Sequence, residues 1–176
     1  MKRFLAVMVS VAVVLTFVTW ATAAEKATNE EPRGDRKFVT GATWSGTMEV
    51  EAGKIASEKA QNAEVKSFAQ RMVTDHTKAN QELASIAEKK KLVPPPMGKK
   101  FKNEMDKLNK YSGADFDKQY MDRMIKDHKD TISLFEKEAK DGKDEDLKAF
   151  ASKTLPVLRE HHQMAQDIYN KVKEKK

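Results

Sequence analysis

The stretch KSFAQRMVTDH, residues 66–76, returns as KQYMDRMIKDH, residues 118–128. Extended on both sides, each copy spaces its apolar residues by three and four. One runs Val65, Phe68/Ala69, Met72, His76, Ala79, Leu83 and Ala87; the other runs Tyr120/Met121, Met124/Ile125, His128, Ile132, Phe135 and Ala139. That spacing is one face of an α-helix, so each copy predicts a helix with a histidine on its inward stripe. The other two of the chain's four histidines are the doublet His161-His162. They lie on a third periodic segment, Leu147, Phe150, Leu155, Leu158, His161, Ala165 and Ile168, which turns His161 inward and leaves His162 for the surface.

A first long helix is predicted from Phe38 to Ala60, with Ala42, Ser45/Gly46, Glu49, Ala52/Gly53 and Ala56 on one face. Pro94-Pro95-Pro96 should end the second, because proline has no N–H to continue the ladder. A short helical piece carrying Phe101, Met105 and Leu108 then precedes the break at Ser112-Gly113. The third long helix stops at Asp141-Gly142 and the fourth starts near Asp144, with Pro156 inside it predicting a kink. Strand signals are absent, since β-branched residues never alternate over a useful length. The expected fold class is therefore all-α, a four-helix bundle with a short extra helix in the crossover between helices 2 and 3, over residues 38–172.

EVKSFAQR at 64–71 also parallels DLKAFASK at 146–153, and Ile55 to Ala60 parallels Leu134 to Ala139. In the second register Glu49 takes the place of His128. Duplication of a helical hairpin explains this, and so does chance similarity between Lys- and Glu-rich helices.

Met1-Lys2-Arg3, the apolar run Phe4 to Trp20 and Ala21-Thr22-Ala23 have the three zones of a signal peptide, residues 1–23, cut after Ala23 or Ala24. The expected location is periplasmic or secreted; an uncleaved anchor is the alternative. Residues 24–37 have almost no large apolar side chain and contain Pro32 and Gly34, so a flexible leader is expected. The chain has no cysteine, which excludes disulfides and a lipoprotein anchor. Removing 23 of the 176 residues leaves enough for one domain and lowers the formal charge from +6 to +4. The lysines are interleaved with Asp and Glu, without a stacking pattern of aromatics, so no nucleic-acid partner is expected. Nor is stable membrane insertion expected after cleavage; a homo-oligomer stays open, and no protein partner is indicated.

Met48-Glu49-Val50, Gly53-Lys54-Ile55-Ala56, Val65-Lys66-x-Phe68-Ala69-x-Arg71-Met72-Val73-x-Asp75-His76, Ser112-Gly113-x-Asp115-Phe116-Asp117, Tyr120-Met121, Asp127-His128 and Leu155-Pro156-x-Leu158-x-x-His161 together carry a resemblance. From about Phe38 to Tyr169 the chain resembles the exported bacterial proteins grouped as domain of unknown function 4142. The resemblance implies a ferritin-like fold and no settled activity.

Ferritin-type di-metal sites use a Glu-x-x-His from each of two helices. Here Val73, Ile125 and Leu158 stand three residues before the histidines, so a di-iron oxidase is not expected. Glu49, His76, His128 and His161 remain, one inward candidate per long helix. They suit a single transition-metal ion, Zn, Fe, Mn or Cu. Asp75 and Asp127 stand about 100° around the helix from their histidines. There they would either hold a neighbouring imidazole or pair with Arg71 and Arg123. The competing reading is a non-catalytic structural or envelope-stress protein, with a buried His/Asp network and no cofactor. Met72, Met121, Met124 and Met164 near the histidines suit copper or, more ordinarily, fill the core. No nucleophile triad or phosphate-cradling loop is present, so any enzymatic activity is expected to be metal-dependent redox chemistry.

Overall fold

The computed structural model describes residues 33–174; the expected signal segment and most of the expected leader fall outside the described residues. These form five helices and no strand: α1 Arg33–Lys59, α2 Ala63–Lys89, α3 Lys99–Asn109, α4 Gly113–Asp141 and α5 Glu145–Lys173. The described residues are thus all-helical, with the short α3 between α2 and α4 as expected. None of the described helices is long and apolar enough to cross a membrane.

α1 starts five residues earlier than the periodicity predicts, so residues 33–37 belong to a helix and not to a flexible leader. The cause is Asp35, 2 % exposed, whose carboxylate accepts the Lys143 N–H at 3.1 Å and ties this turn to the α4–α5 connection. An acid also suits the positive end of a helix dipole. At the other end of α1, Asp117 of α4 accepts the N–H groups of Gln61 and Asn62 at 3.1 and 2.8 Å, while Asn62 caps α2. Each three-residue turn is therefore held by a buried acid from the opposite hairpin.

The prolines do not end α2. It stops at Lys89, where Leu92 N–H donates to Ala87 C=O (2.8 Å) and Lys91 N–H to Glu88 C=O (3.1 Å), with Lys91 at φ 56°. This pair of bonds is a Schellman motif, sealed by the burial of Leu92. α5 runs on through Pro156, which lies on its exposed face, where water can serve the freed Ser152 carbonyl.

α1 packs on α2 and α4, α5 packs on the same two, and α3 lies against α1 and α4. The α1–α2 approach is close: a Cβ on Gly53 would stand 3.0 Å from the Ala69 carbonyl oxygen and 2.9 Å from Val73 Cγ2. The interior divides into two apolar halves. One gathers Ala56, Phe68, Met72, Tyr120, Met124 and Ala165. The other gathers Phe38, Leu83, Phe135, Phe150 and Leu158. Between them runs a polar layer.

Candidate metal centre

The polar layer follows from the register of each stripe. Glu49 lies between Ala42 and Ala52 on α1, His76 between Met72 and Leu83 on α2, His128 between Met124 and Phe135 on α4, and His161 between Leu158 and Ala165 on α5. All four are buried, His76 the most exposed at 6 %. One nitrogen from each imidazole lies within 4.8 Å of the other two, and the ring centroids are 5.3–5.5 Å apart. Glu49 Oε2 stands 2.5 Å from His76 Nε2 and 3.5 Å from His128 Nε2.

Two of the imidazoles are held from behind. His128 Nδ1 is 2.9 Å from the Met124 carbonyl oxygen, which can only accept, so Nδ1 carries the proton and Nε2 keeps its lone pair. His161 Nε2 is 2.9 Å from Asp75 Oδ2; a carboxylate also accepts, leaving the lone pair on Nδ1. His128 Nε2, His161 Nδ1, His76 Nε2 and both Glu49 oxygens are sealed from solvent with no aligned hydrogen-bond partner among the described residues. Five buried polar atoms without aligned partners in one layer are costly, because each has given up water.

The electrostatics follow from that burial. Burial pushes the Glu49 carboxyl up, but the imidazoles of His76 and His128 outweigh it and hold the group down at about 2. For His76, burial pulls down and the Glu49 charge prevails, so its pKa rises. Burial lowers His128, with His76 adding to the effect against Glu49. It takes His161 to about 4 despite the Asp75 hydrogen bond. The layer thus holds one carboxylate, one imidazole that favours its proton and two that resist it.

Outside the layer, Asp75 does both things expected of it. It accepts from His161 and from Arg71 Nε at 3.2 Å, while Arg71 Nη1 reaches Glu160 at 2.9 Å and Met164 Sδ at 3.2 Å. Among the described residues Asp127 pairs with Arg123 alone, at 3.0 Å, and Arg123 extends to Glu104 of α3 at 3.2 Å. The flank of α2 that carries Asp75 meets α5 and its histidine. The flank of α4 that carries Asp127 opens on a groove shared with Met48 of α1 and Glu104 of α3, and α1 has no histidine to offer. His162, expected at the surface, is half-buried, with Nε2 shielded and without a hydrogen-bond partner among the described residues.

Glu104 and Glu160, which anchor the two arginines, carried no signal in the helical pattern. Tyr120 was also missed as a polar group. Its hydroxyl is buried without a hydrogen-bond partner among the described residues, and burial plus the Glu49 charge push its pKa well above 10. The mark was the repeat itself, where Tyr120 occupies the place of Phe68.

The profile of a domain of unknown function, DUF4142, matches residues 20–168. No curated protein matches the chain. Among solved structures, the chain is similar to a DUF305 fragment from Deinococcus radiodurans. The TM-score is 0.70 at 11 % identity, covering 80 % of this chain and 97 % of that one. At such identity the likeness speaks for the helical fold alone.

Proposed function

The chain belongs to the DUF4142 family, and from that premise we propose that it is an exported, ferritin-like four-helix bundle that holds one transition-metal ion through His76, His128, His161 and Glu49. The observation that carries the reading is the set of inward imidazole lone pairs. Two, on His128 and His161, are presented by hydrogen bonds made on the far side of their rings, and neither inward nitrogen has a hydrogen-bond partner among the described residues. Three imidazoles and a carboxylate form a borderline donor set, suited to Zn, Mn, Fe or Cu, and the charge of Glu49 offsets that of the ion. Asp75 would hold His161 in its ligating tautomer. A redox-active ion would supply electron transfer to a small oxygen species; the residues themselves supply positioning and exclusion of water.

A second reading rests on the Glu49–His76 contact. At 2.5 Å, with Glu49 ionised and the His76 pKa raised, the pair is a buried ionic link that can fix helix register without any metal. One experiment separates the two readings. The mature domain, purified without a histidine tag, is analysed for bound elements and titrated with Zn, Mn, Fe and Cu ions. A stoichiometric ion lost in the His76→Ala, His128→Ala variant supports the centre. No ion, and no thermal shift with any of the four, leaves the network. Turnover of peroxide or oxygen by the loaded protein is the further requirement for an enzyme. Export is tested by the N-terminal residue of the protein recovered from the producing cell, expected to be Ala24 or Glu25.

A further inference from the structure

At the far end of the helices from the histidine layer, a second pair of buried acids meets. Asp35, in the first turn of α1, is 2 % exposed, and Glu138, in the last turn of α4, is 5 % exposed. Asp35 Oδ1 takes the Lys143 N–H, but Asp35 Oδ2 and Glu138 Oε1 are sealed from solvent with no hydrogen-bonded donor among the described residues. The backbone is shaped to this contact. Gly142 ends α4, and a Cβ there would stand 2.6 Å from Glu138 Oε1 and 2.5 Å from its carbonyl oxygen, so only glycine leaves the carboxyl its place.

Glu138 lies within hydrogen-bonding reach of Asp35, and two buried carboxyl groups so placed strongly disfavour being ionised together unless a cation lies between them. Among the described residues, neither Lys148 nor Lys90 provides one. From the turn, Asp144 adds a further negative charge; from α5, Lys148 acts on Glu138 only through space and pairs with Glu145 at 3.5 Å. From α2, Lys90 is engaged by Asp144 and Asp146 at 2.6 and 2.7 Å.

We propose that Asp35 and Glu138 share one proton, the Glu138 hydroxyl donating to the Asp35 carboxylate, and that this bond is a pH-sensitive latch closing the first turn of α1 onto the α4–α5 connection. Burial first, then the Asp35 charge, raise Glu138 to about 7. The sign follows from that direction. Between its ordinary value of 4.5 and about 7 the folded protein holds a proton that the unfolded chain has lost. The latch is therefore fully closed in acid and is released as pH rises through 7.

The test is hydrogen exchange of the full chain from pH 5 to pH 8, corrected for the intrinsic pH dependence of exchange. Amides of residues 33–40 and 141–147 should lose protection by on the order of tenfold to a hundredfold over that range, and the Glu138→Gln variant should abolish the trend, because glutamine still donates to Asp35 but does not titrate. A trend unchanged in Glu138→Gln overturns the proposal. So does a calcium-induced protection abolished by Asp35→Asn, which would make the bridge a cation. Carboxyl NMR titration of the unsubstituted protein decides the matter should the variant not fold: a Glu138 midpoint near 7 is expected, and one near 4.5 excludes the shared proton.

Discussion

At the scale of single residues, the arrangement turns on which atom of each imidazole is already committed. His161 gives Nε2 to Asp75 and His128 gives Nδ1 to a carbonyl, so the free lone pairs are a consequence of those bonds. Asp75→Asn should weaken metal binding about ten- to a hundredfold, since an amide can turn its NH2 to the ring and favour the wrong tautomer. A competition assay with a chromogenic chelator measures this, and an unchanged affinity would remove Asp75 from the site. Glu49, His76, His128 and His161 were legible as inward residues because one histidine or acid on an otherwise apolar stripe stands out. The unequal roles of Asp75 and Asp127 were not legible. Identical Asp-His pairs on two similar helices receive different neighbours, and the neighbour lies elsewhere in the chain.

At the scale of elements, two positions show how backbone sets the limits of these helices. Gly53 lets α1 approach α2 until a methyl group would touch the Ala69 carbonyl oxygen at 3.0 Å. Gly53→Ala should cost about 1–3 kcal/mol through overpacking, despite alanine's better helix propensity. Urea denaturation of the two proteins checks this, and a gain in stability would show that the helices move apart freely. Lys91, at φ 56°, is the opposite case. Lys91→Gly should raise stability by about 1 kcal/mol, since a side chain in the left-handed region is strained where glycine is not. A melting temperature unchanged or lowered would contradict that account of the α2 terminus. The proline run drew attention as the stop signal, yet the chain had already turned before it. A Schellman ending needs a left-handed residue and an apolar one after it, and with lysine in place of glycine the first half of that signal was hidden.

At the scale of the whole molecule, the polar layer divides one interior into two apolar halves and sets how the metal-free protein answers acid. His161 is buried neutral, with its pKa lowered to about 4. Its contribution is present above the ordinary histidine value and is lost as pH falls from about 6.5 toward 4, amounting to ~2–4 kcal/mol. Glu49 adds a loss of the same sign at lower pH, from its ordinary 4.5 down to about 2. Imidazole NMR of the metal-free protein should find the His161 midpoint near 4, and a midpoint near 6.5 would mean that the ring is not held neutral in the interior. Saturation with the cognate ion should raise the melting temperature in proportion to the logarithm of free metal, as mass action requires of a ligand held only by the folded state.

The all-helical class, the order of the elements and the inward stripe of each helix were determined by the sequence alone, because helical period is a local property that apolar spacing records directly. The α4–α5 turn was equally readable, marked by Asp141-Gly142 and Asp144, whereas the Asn62 cap of α2 emerged only in the structure. What only the tertiary structure decided was everything joining residues distant in the chain: Asp35 drawing residues 33–37 into α1, Asp75 reaching His161, Asp127 kept to Arg123, and Asp35 meeting Glu138. Those pairings depend on which helix flanks which and at what height, and that is set by the packing of the two apolar halves. No spacing along a single helix encodes it.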